Sequence, residues 1–363
     1  MYKRELRKPD GRRLLLYGRA PIADGLVAPS PVAGRAAPDT QLRWHPLRGE
    51  WVAYAGHRQA RTFLPAFNPL AVTIDPRQPT ELPAGAYDVA VFENLFPALA
   101  PSAAAADQTV IPSRPGAGTA EVVVFTQDAG SSLGALPLDH LELLIEVWAD
   151  RTRALGARAD VAYVFPFENR GVEVGVTLAH PHGQIYGYPF IPPVAARELE
   201  LQRAHHATHG RGLLADLIAA ETADGRRMLY DGGEAVAFVP AFARYAYEIW
   251  VAPRREVASF VELLEQPRAV RADFARALKT ALMKLDALWS RPMPYLLQFH
   301  QAPSDGAPHP AAHLHAEIYP AYRMPDRLKY LACTEVGAGV FTADTFPEEK
   351  AAELRAVAIA LGD

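Results

Sequence analysis

Hydrophobic residues recur along the chain in two different rhythms. Short runs rich in β-branched and aromatic residues predict strands, whereas hydrophobic residues three and four positions apart predict helices. The predicted strands are residues 51–54, 89–97, 121–125, 162–165, 235–242, 247–251 and 295–300. One predicted helix has Leu141, Leu144, Ile145, Trp148, Thr152 and Leu155 on one face and ends at Gly156; the other has Val270, Phe274, Leu278, Ala281, Leu282 and Leu285.

The order of these elements in the first half of the chain recurs in the second half. Residues 235–242 correspond to 89–96, 247–251 to the strand at 122, and 295–300 to the strand at 162. The two predicted helices also correspond, and so do the polar rows that begin at His180 and His313. Five matches in the same order indicate a duplication. We therefore predict an α+β fold made of two repeats, each an antiparallel sheet with a helix packed across it.

The composition divides the chain into three parts. Residues 1–41 are rich in Pro, Ala, Gly and Arg and are predicted to form a loosely ordered N-terminal arm. The first repeat is assigned to residues 42–195 and the second to 196–363. Within the first repeat, residues 65–86 and 100–119 are predicted to be loops, and the second of these is a candidate for mobility because it has low complexity.

Three polar residues at alternate positions follow the predicted strand at 162–165 in the first repeat. His180, His182 and Gln184 alternate with other residues, so in an extended strand their side chains would point to one face. Gly183 would allow a ligand or another backbone to come close. Two imidazoles and an amide offer a nucleophile and groups that bind phosphoryl oxygens. The spacing alone leaves open an ordinary pair of core or metal-binding histidines. The related row His313–His315–Glu317 lies in the second half.

Charge and composition exclude several classes of function. The formal net charge of −4 argues against a general nucleic-acid binder, which needs a basic face. The single cysteine, Cys333, rules out disulfides within the chain and a thiolate-rich metal cage. No hydrophobic run approaches the roughly 18 residues of a membrane span. We therefore expect a cytoplasmic protein that acts on small molecules, without nucleic-acid or membrane partners.

The segment Phe-Glu-Asn-Arg-Gly at 167–171, followed by His-Pro-His-Gly-Gln-Ile at 180–185, resembles the active-site signature of the galactose-1-phosphate uridylyltransferases. They form the transferase branch of the histidine-triad superfamily, and the resemblance extends from about Arg43 to the C-terminus. It implies a ping-pong reaction of galactose metabolism that needs no organic cofactor. His182 would take UMP from UDP-glucose, release glucose 1-phosphate and pass UMP to galactose 1-phosphate, giving UDP-galactose. His180 would orient His182, and Gln184 would hold phosphoryl oxygens without activating water.

The same resemblance implies further substrate contacts. Leu95 departs from the family pattern, in which this position is often charged. The implied substrate-binding residues are Arg58 and Arg61 for phosphate, Asn94 and Phe96 for uridine, Asn169, Gly175, Val176 and Thr177 around the phosphates, and Lys329, Tyr330, Thr334 and Glu335 for the hexose.

Two metal sites of the family give different expectations. A zinc site that uses a Cys-x-x-Cys pair would fall at residues 68–71, near residues 128–129 and at His180; three of its four ligands are missing, so we predict that it is absent. The second site, for one structural Zn or Fe ion, would use Glu198, His300, His315 and Glu317, with His313 as an alternative to Glu317. The alternative is a polar hydrogen-bonded network left by the duplication. The cluster His205, His206 and His209 is assigned to a solvated helix face.

Relatives of this kind are homodimers that share residues across the interface, so a homodimer is expected. Two other functions remain open. One is an enzyme with the same nucleotidyl-histidine chemistry but another nucleotide or acceptor, such as an ADP-sugar or dinucleoside-polyphosphate phosphorylase. The other is a protein that binds nucleotides without turnover.

Overall fold

A computed structural model describes residues 1–34, 38–61, 63–101, 103 and 110–361 of the chain. Its strands are β1 (Tyr2–Arg7), β2 (Arg13–Gly18), β3 (Gln41–His45), β4 (Glu50–Tyr54), β5 (Val89–Glu93), β6 (Ser113–Pro115), β7 (Thr119–Val124), β8 (Tyr163–Arg170), β9 (His182–Tyr188), β10 (Met228–Asp231), β11 (Ala235–Phe238), β12 (Ile249–Pro253), β13 (Tyr295–His300), β14 (His315–Pro320), β15 (Tyr322–Met324) and β16 (Arg327–Leu328). Its α-helices are α1 (Leu138–Gly156), α2 (Pro193–His209), α3 (Leu213–Asp224), α4 (Phe260–Glu265), α5 (Arg268–Ala287) and α6 (Pro347–Ala356). No helix in these ranges is long and apolar enough to cross a membrane.

Eleven strands form one antiparallel sheet in the order β1-β2-β5-β7-β9-β8-β13-β14-β12-β11-β10. The first repeat contributes β5-β7-β9-β8, and the second contributes β11-β12-β14-β13 in the equivalent order. The two halves join where β8 pairs with β13, with Phe167 opposite Gln298. The predicted α+β fold with two repeats is confirmed. The sheets of the two repeats are continuous because the edge strand β8 of the first is hydrogen-bonded to the edge strand β13 of the second.

The helices α1 and α5 pack on one face of this sheet. Leu144 and Trp148 of α1 join Phe274 of α5 in the main hydrophobic core, together with Ile185 of β9 and Ile318 of β14. Burying each large hydrophobic side chain stabilises the fold by about 1.5–3 kcal/mol. Because Ile185 is held in this core, the alternate residues of β9 face the other side of the sheet.

The prediction of a loosely ordered arm over residues 1–41 is wrong for its first part. The strands β1 and β2 form a hairpin, and β2 continues the sheet by pairing with β5. Leu14 and Leu16 are completely buried, because they lie on the face of the sheet against which Leu70 and Leu82 pack. The high content of Pro, Ala and Gly in the region concealed this short hydrophobic strand. Residues 35–37 lie outside the described residues.

The predicted loop at residues 65–86 is held by packing. Leu70 and Leu82 are buried against the hairpin, and Val72 forms an isolated bridge to Leu82. Of the other predicted loop, residues 102 and 104–109 lie outside the described residues, while β6 pairs with β3. The mobility expected there stays a prediction.

Candidate active site

The strand β9 presents His182 and Gln184 on the face of the sheet opposite the helices. Both are half-buried, whereas the residues between and after them, Gly183 and Ile185, are buried on the helix side. A side chain at Gly183 would collide with the ring of Phe125 and the backbone of β8, so this glycine serves close packing rather than ligand approach. His180 precedes the strand, so the predicted row of three is reduced to two within it.

One hydrogen bond determines which nitrogen of His182 is free. Its Nδ1 lies 2.7 Å from the backbone carbonyl oxygen of His180. A carbonyl only accepts, so Nδ1 carries the proton and Nε2 keeps its lone pair. Burial lowers the pKa of His182 below its ordinary value, and the nearby His180 adds to this, while the hydrogen bond to the carbonyl works against it. The imidazole is therefore neutral near pH 7 and has a free nucleophilic nitrogen.

His180 is fixed at both of its ring nitrogens. Its Nε2 donates to the carbonyl oxygen of Thr126 at 2.7 Å, and its Nδ1 lies 2.9 Å from the amide nitrogen of Asn68. With the proton on Nε2, Nδ1 accepts from the Asn68 side chain. Burial lowers the pKa of His180, which favours this neutral form.

The zinc site expected of many relatives does not fit these residues. Residues 68–71 offer an amide and no thiolate, and both nitrogens of His180 already have hydrogen-bond partners. Tetrahedral zinc needs four ligands of the N, O or S type. The predicted absence of this site agrees with the donor set present.

Two cavities meet at His182. One of about 270 Å³ is lined by Arg61, Asn94, Phe96, Thr177 and Gln184 among others. The second, of about 180 Å³, is lined by Asn169, Val176 and His180 among others. His182 lines both cavities. Gly175 has a φ of +80° beside them, a left-handed conformation that glycine adopts without strain.

The turn after β5 is built by side chains that the sequence assigned to substrate. The amide oxygen of Asn94 accepts from the backbone nitrogen of Phe96 at 2.8 Å, and its amide nitrogen lies 3.4 Å from Oε1 of Gln184. Arg58 donates to the carbonyl oxygen of Phe96 at 2.7 Å. Arg58 thus braces the turn, whereas Arg61 lines the cavity itself.

The four residues predicted to contact the hexose do not line the described parts of the cavities at His182. Glu335 accepts hydrogen bonds from Nζ of Lys329 at 3.0 Å and from the hydroxyl of Thr334 at 2.8 Å. A hydrogen bond from the backbone nitrogen of Ala332 has the largest effect on the pKa of Glu335, and together with the bonds from Lys329 and Thr334 it holds this pKa well below its usual range. Tyr330 is exposed. Among the described residues that line the two cavities at His182, none comes from this segment.

The second repeat reproduces the histidine geometry of the first. Nδ1 of His315 lies 2.9 Å from the carbonyl oxygen of His313, and Nε2 of His313 lies 2.8 Å from that of Pro253. In the first repeat, Nδ1 of His182 and Nε2 of His180 make the corresponding contacts with the carbonyl oxygens of His180 and Thr126. Trp250, which pairs with Glu317, stacks on the His315 ring at 5.1 Å between centroids. The equivalent residue in the first repeat is Val122, a cavity-lining residue, so the larger indole takes up the corresponding space.

The predicted metal ligands of the second repeat come together. Donor atoms of Glu198, His300 and His315 all lie within 4.8 Å of one another. Glu317 is adjacent, with 3.6 Å between its Oε2 and Nε2 of His300 and 3.7 Å between its Oε1 and Nε2 of His315. Both of these ring nitrogens are buried and have no hydrogen-bond partner among the described residues. Such orphaned imidazole nitrogens beside carboxylates fit a transition-metal ion. His313 instead uses its Nε2 for the carbonyl of Pro253.

Two points remain: the histidine cluster of α2, and one residue at the site that the sequence did not indicate. His205 is half-buried and lies 2.9 Å from Asp216, and His209 is exposed, in agreement with a solvated helix face. Sequence reasoning missed Asn68 as a partner of His180. The only signal for Asn68 was its place where relatives have a cysteine.

A sheet of two like halves, with a His-Pro-His-Gly-Gln segment entering a central strand, defines a two-repeat protein of the histidine-triad class. Residues 35–192 match the family model of the N-terminal domain of galactose-1-phosphate uridyl transferase, and residues 198–359 match that of its C-terminal domain. The chain belongs to the galactose-1-phosphate uridylyltransferase family.

Named relatives support this membership over most of the chain. A galactose-1-phosphate uridylyltransferase of Thermotoga maritima is 35% identical and covers 87% of this chain and 98% of its own length. The enzyme of Streptomyces lividans is 34% identical over 99% of this chain and 98% of its own. A solved uridylyltransferase structure is 31% identical with a TM-score of 0.78, covering 87% of this chain and 98% of that one. An ADP-glucose phosphorylase of Arabidopsis thaliana, 21% identical with a TM-score of 0.66 over 89% of this chain and 100% of its own, shares the fold.

Proposed function

We propose that this protein transfers UMP from UDP-glucose to galactose 1-phosphate through a uridylyl-histidine on His182. Its relatives at 35% and 34% identity carry the name of this activity. The observation that carries the proposal is the bond from Nδ1 of His182 to the carbonyl of His180, which leaves Nε2 unprotonated in a side chain that lines two cavities. A fixed tautomer with one free nitrogen is what nucleophilic catalysis by histidine requires.

The chemistry consists of two displacements at phosphorus. In the first, the lone pair of Nε2 forms a bond to the α-phosphorus of UDP-glucose, and the bond from that phosphorus to the bridging oxygen breaks. Glucose 1-phosphate leaves with the bonding electrons. The imidazole then carries a positive charge, and its Nδ1–H donates to the carbonyl of His180 in a charge-assisted hydrogen bond. In the second, a phosphate oxygen of galactose 1-phosphate attacks, UDP-galactose forms and Nε2 regains its lone pair.

Gln184 and Arg61 would bind the phosphates during both steps. Oε1 of Gln184 faces the amide of Asn94, and no described residue accepts from the amide hydrogens of Gln184, which would donate to phosphoryl oxygens. An amide in this place cannot act as a base toward water, which favours transfer over hydrolysis. Arg61 at the cavity supplies a cation suited to phosphate. Asn94 and Phe96 would hold the uridine, while Asn169 and residues 175–177 would surround the phosphates.

The hexose contacts require a second copy of the chain. Lys329, Tyr330, Thr334 and Glu335 are absent from the described lining of both cavities at His182. In a homodimer, one protomer's C-terminal segment would reach the cavities of its partner. We include this homodimer and a cytoplasmic location in the proposal.

One structural Zn or Fe ion would be held by Glu198, His300 and His315, with Glu317 as the next available donor. In purified protein we expect about one equivalent of metal per chain by inductively coupled plasma mass spectrometry, since imidazoles beside carboxylates suit a transition-metal ion. The double variant His300→Ala/His315→Ala should lose the metal and melt at a lower temperature. The pair His206→Ala/His209→Ala on α2, in which His206 is half-buried and His209 is exposed, is the matched control. Equal metal content in both double variants would contradict the assignment.

The nucleophile's depressed pKa sets the pH dependence of the first step. Only neutral His182 attacks, so the rate of adduct formation should stay constant as the pH falls to the ordinary histidine pKa and decline only below it. Single-turnover rates between pH 5 and 8 measure this. A decline that is already complete at the ordinary histidine value would contradict the neutral, buried imidazole.

The reaction is tested with UDP-glucose labelled at the α-phosphate, incubated without acceptor. An acid-labile adduct on His182, discharged by galactose 1-phosphate to UDP-galactose, is the expected result. A second candidate, an enzyme for another nucleotide such as an ADP-sugar, is favoured by Leu95, an apolar residue in the cavity lining where relatives are often charged. An adduct from ADP-glucose but not from UDP-glucose would select it. No adduct from any nucleotide would exclude both.

A further inference from the structure

Asn68 is the residue outside the histidine segment that fixes the ring of His180. Its side-chain oxygen accepts from the backbone nitrogen of Leu70 at 3.0 Å, which closes an Asx turn. This contact leaves the amide nitrogen to face Nδ1 of His180 at 2.9 Å. The turn therefore determines that Asn68 presents a donor, which only the Nε2-protonated tautomer of His180 can accept.

The orientation of His180 bears directly on the nucleophile. Its ring is held between Asn68 and the carbonyl of Thr126, and its own carbonyl receives the Nδ1–H of His182. A change in the His180 ring position would move the peptide that selects the reactive nitrogen of His182. Partners one step removed from a reacting ligand commonly act in this way.

The segment that carries Asn68 is clamped by the N-terminal hairpin. The backbone nitrogen of Glu81 donates to the carbonyl of Pro69 at 2.9 Å, which ties the two ends of the segment together. The carboxylate of Glu81 lies 2.7 Å from Nζ of Lys8 and 2.9 Å from a guanidinium nitrogen of Arg12. The side chains of Lys8 and Arg12 are 0% exposed.

The same hairpin reaches the turn at the nucleotide cavity. Nη1 of Arg12 donates to the carbonyl of Glu93 at 3.0 Å, immediately before Asn94. Asp10 completes the network by pairing with Arg12 at 2.7 Å and accepting from Ser30 at 2.8 Å. The buried ionic cluster of Lys8, Asp10, Arg12 and Glu81 therefore contacts both the segment that carries Asn68 and the turn that carries Asn94.

We propose that Asn68, held by the ionic clamp of the N-terminal hairpin, is a positioning residue for the nucleophile, in place of the zinc site of which this chain lacks three ligands. The hairpin lies before residue 35, outside the span matched by the family model. The proposal rests on the function of His182 proposed above. It makes the hairpin part of the active-site framework.

The variant Asn68→Asp separates positioning from packing. It keeps the oxygen that accepts from Leu70 and the shape of the side chain, but it turns an oxygen lone pair toward Nδ1 of His180. We expect the single-turnover rate of adduct formation to fall about 10–100-fold while the KM for UDP-glucose changes less than threefold, as is typical when a supporting partner is altered. Gln78→Glu, which makes the same amide-to-carboxylate change at an exposed position of the segment, should behave as the wild type.

Nitrogen-15 NMR of the histidine side chains gives a readout that does not need activity. In the wild type, His180 should show a protonated Nε2 and an unprotonated Nδ1 at pH 7; in Asn68→Asp, Nδ1 should also be protonated. A wild-type His180 with a proton on Nδ1 would overturn the proposal even if no variant folded. So would a normal adduct rate in folded Asn68→Asp. A wild type that forms no adduct but shows the expected His180 signals would reject the function of His182 while retaining the contact.

Discussion

Replacing His182 with glycine is expected to lower the rate of uridylyl transfer by at least about 10⁴-fold, the scale on which the loss of a covalent nucleophile acts. The free Nε2 of His182 is the attacking atom, and Gln184 beside it is an amide that cannot substitute. Binding of UDP-glucose should persist, because Asn94, Phe96 and Arg61 remain. Stopped-assay kinetics measures the first effect, and isothermal titration calorimetry measures the second.

The matched control for this variant is His209→Gly, which makes the same substitution at an exposed residue at the end of α2. It should keep full activity. Transfer by His182→Gly at more than a hundredth of the wild-type rate would reject His182 as nucleophile. Loss of UDP-glucose binding together with activity would instead show that the glycine had disturbed the site, and His182→Asn would then be compared.

Replacing Glu81 with glutamine is expected to lower the free energy of unfolding by about 3–5 kcal/mol, the usual cost of removing one member of a buried ion pair. Lys8 and Arg12 would then share only Asp10 as a buried counter-charge, and two buried cations would lose their main partner. Burial already lowers the pKa of Lys8, against the opposing attraction of Glu81. Denaturant unfolding followed by tryptophan fluorescence measures the change.

Asp75→Asn is the control, because Asp75 pairs with the exposed Arg77 on the same segment. Its unfolding midpoint should equal that of the wild type. If Glu81→Gln unfolds at the wild-type denaturant concentration, the cluster does not clamp the segment. A destabilised variant should also show a lower adduct rate at temperatures where it remains folded, since Asn68 loses its anchorage.

Residues with a clear local pattern were predicted well. The helices around Leu144 and Phe274 appear as α1 and α5, because hydrophobic residues three and four apart must share a buried face. The corresponding strand order of the two repeats also follows, since similar segments fold into similar units. The strand β2 was missed, because its short hydrophobic run lies in a region whose composition is typical of loops.

The contacts of the site depended on distance in the fold. Asn68 and His180 are 112 positions apart, and Lys8 and Glu81 are 73 apart, and no local spacing relates the members of either pair. Arg58 has the residue type expected of a phosphate ligand, but its guanidinium donates to the carbonyl of Phe96. Only the folded chain shows which of several suitable side chains points into a cavity.

The sequence by itself determined the alternation of strands and helices, the duplication, and the chemical groups in the rows at His182 and His315. These depend on residue type and spacing within a few positions, where backbone geometry dictates which side chains are neighbours. The tertiary structure decided which nitrogen of His182 is free, how the site is supported without zinc ligands, and why the second row faces Trp250. Those features arise from hydrogen bonds and packing between distant segments, whose geometry is set only when the whole sheet and the hairpin at its edge assemble.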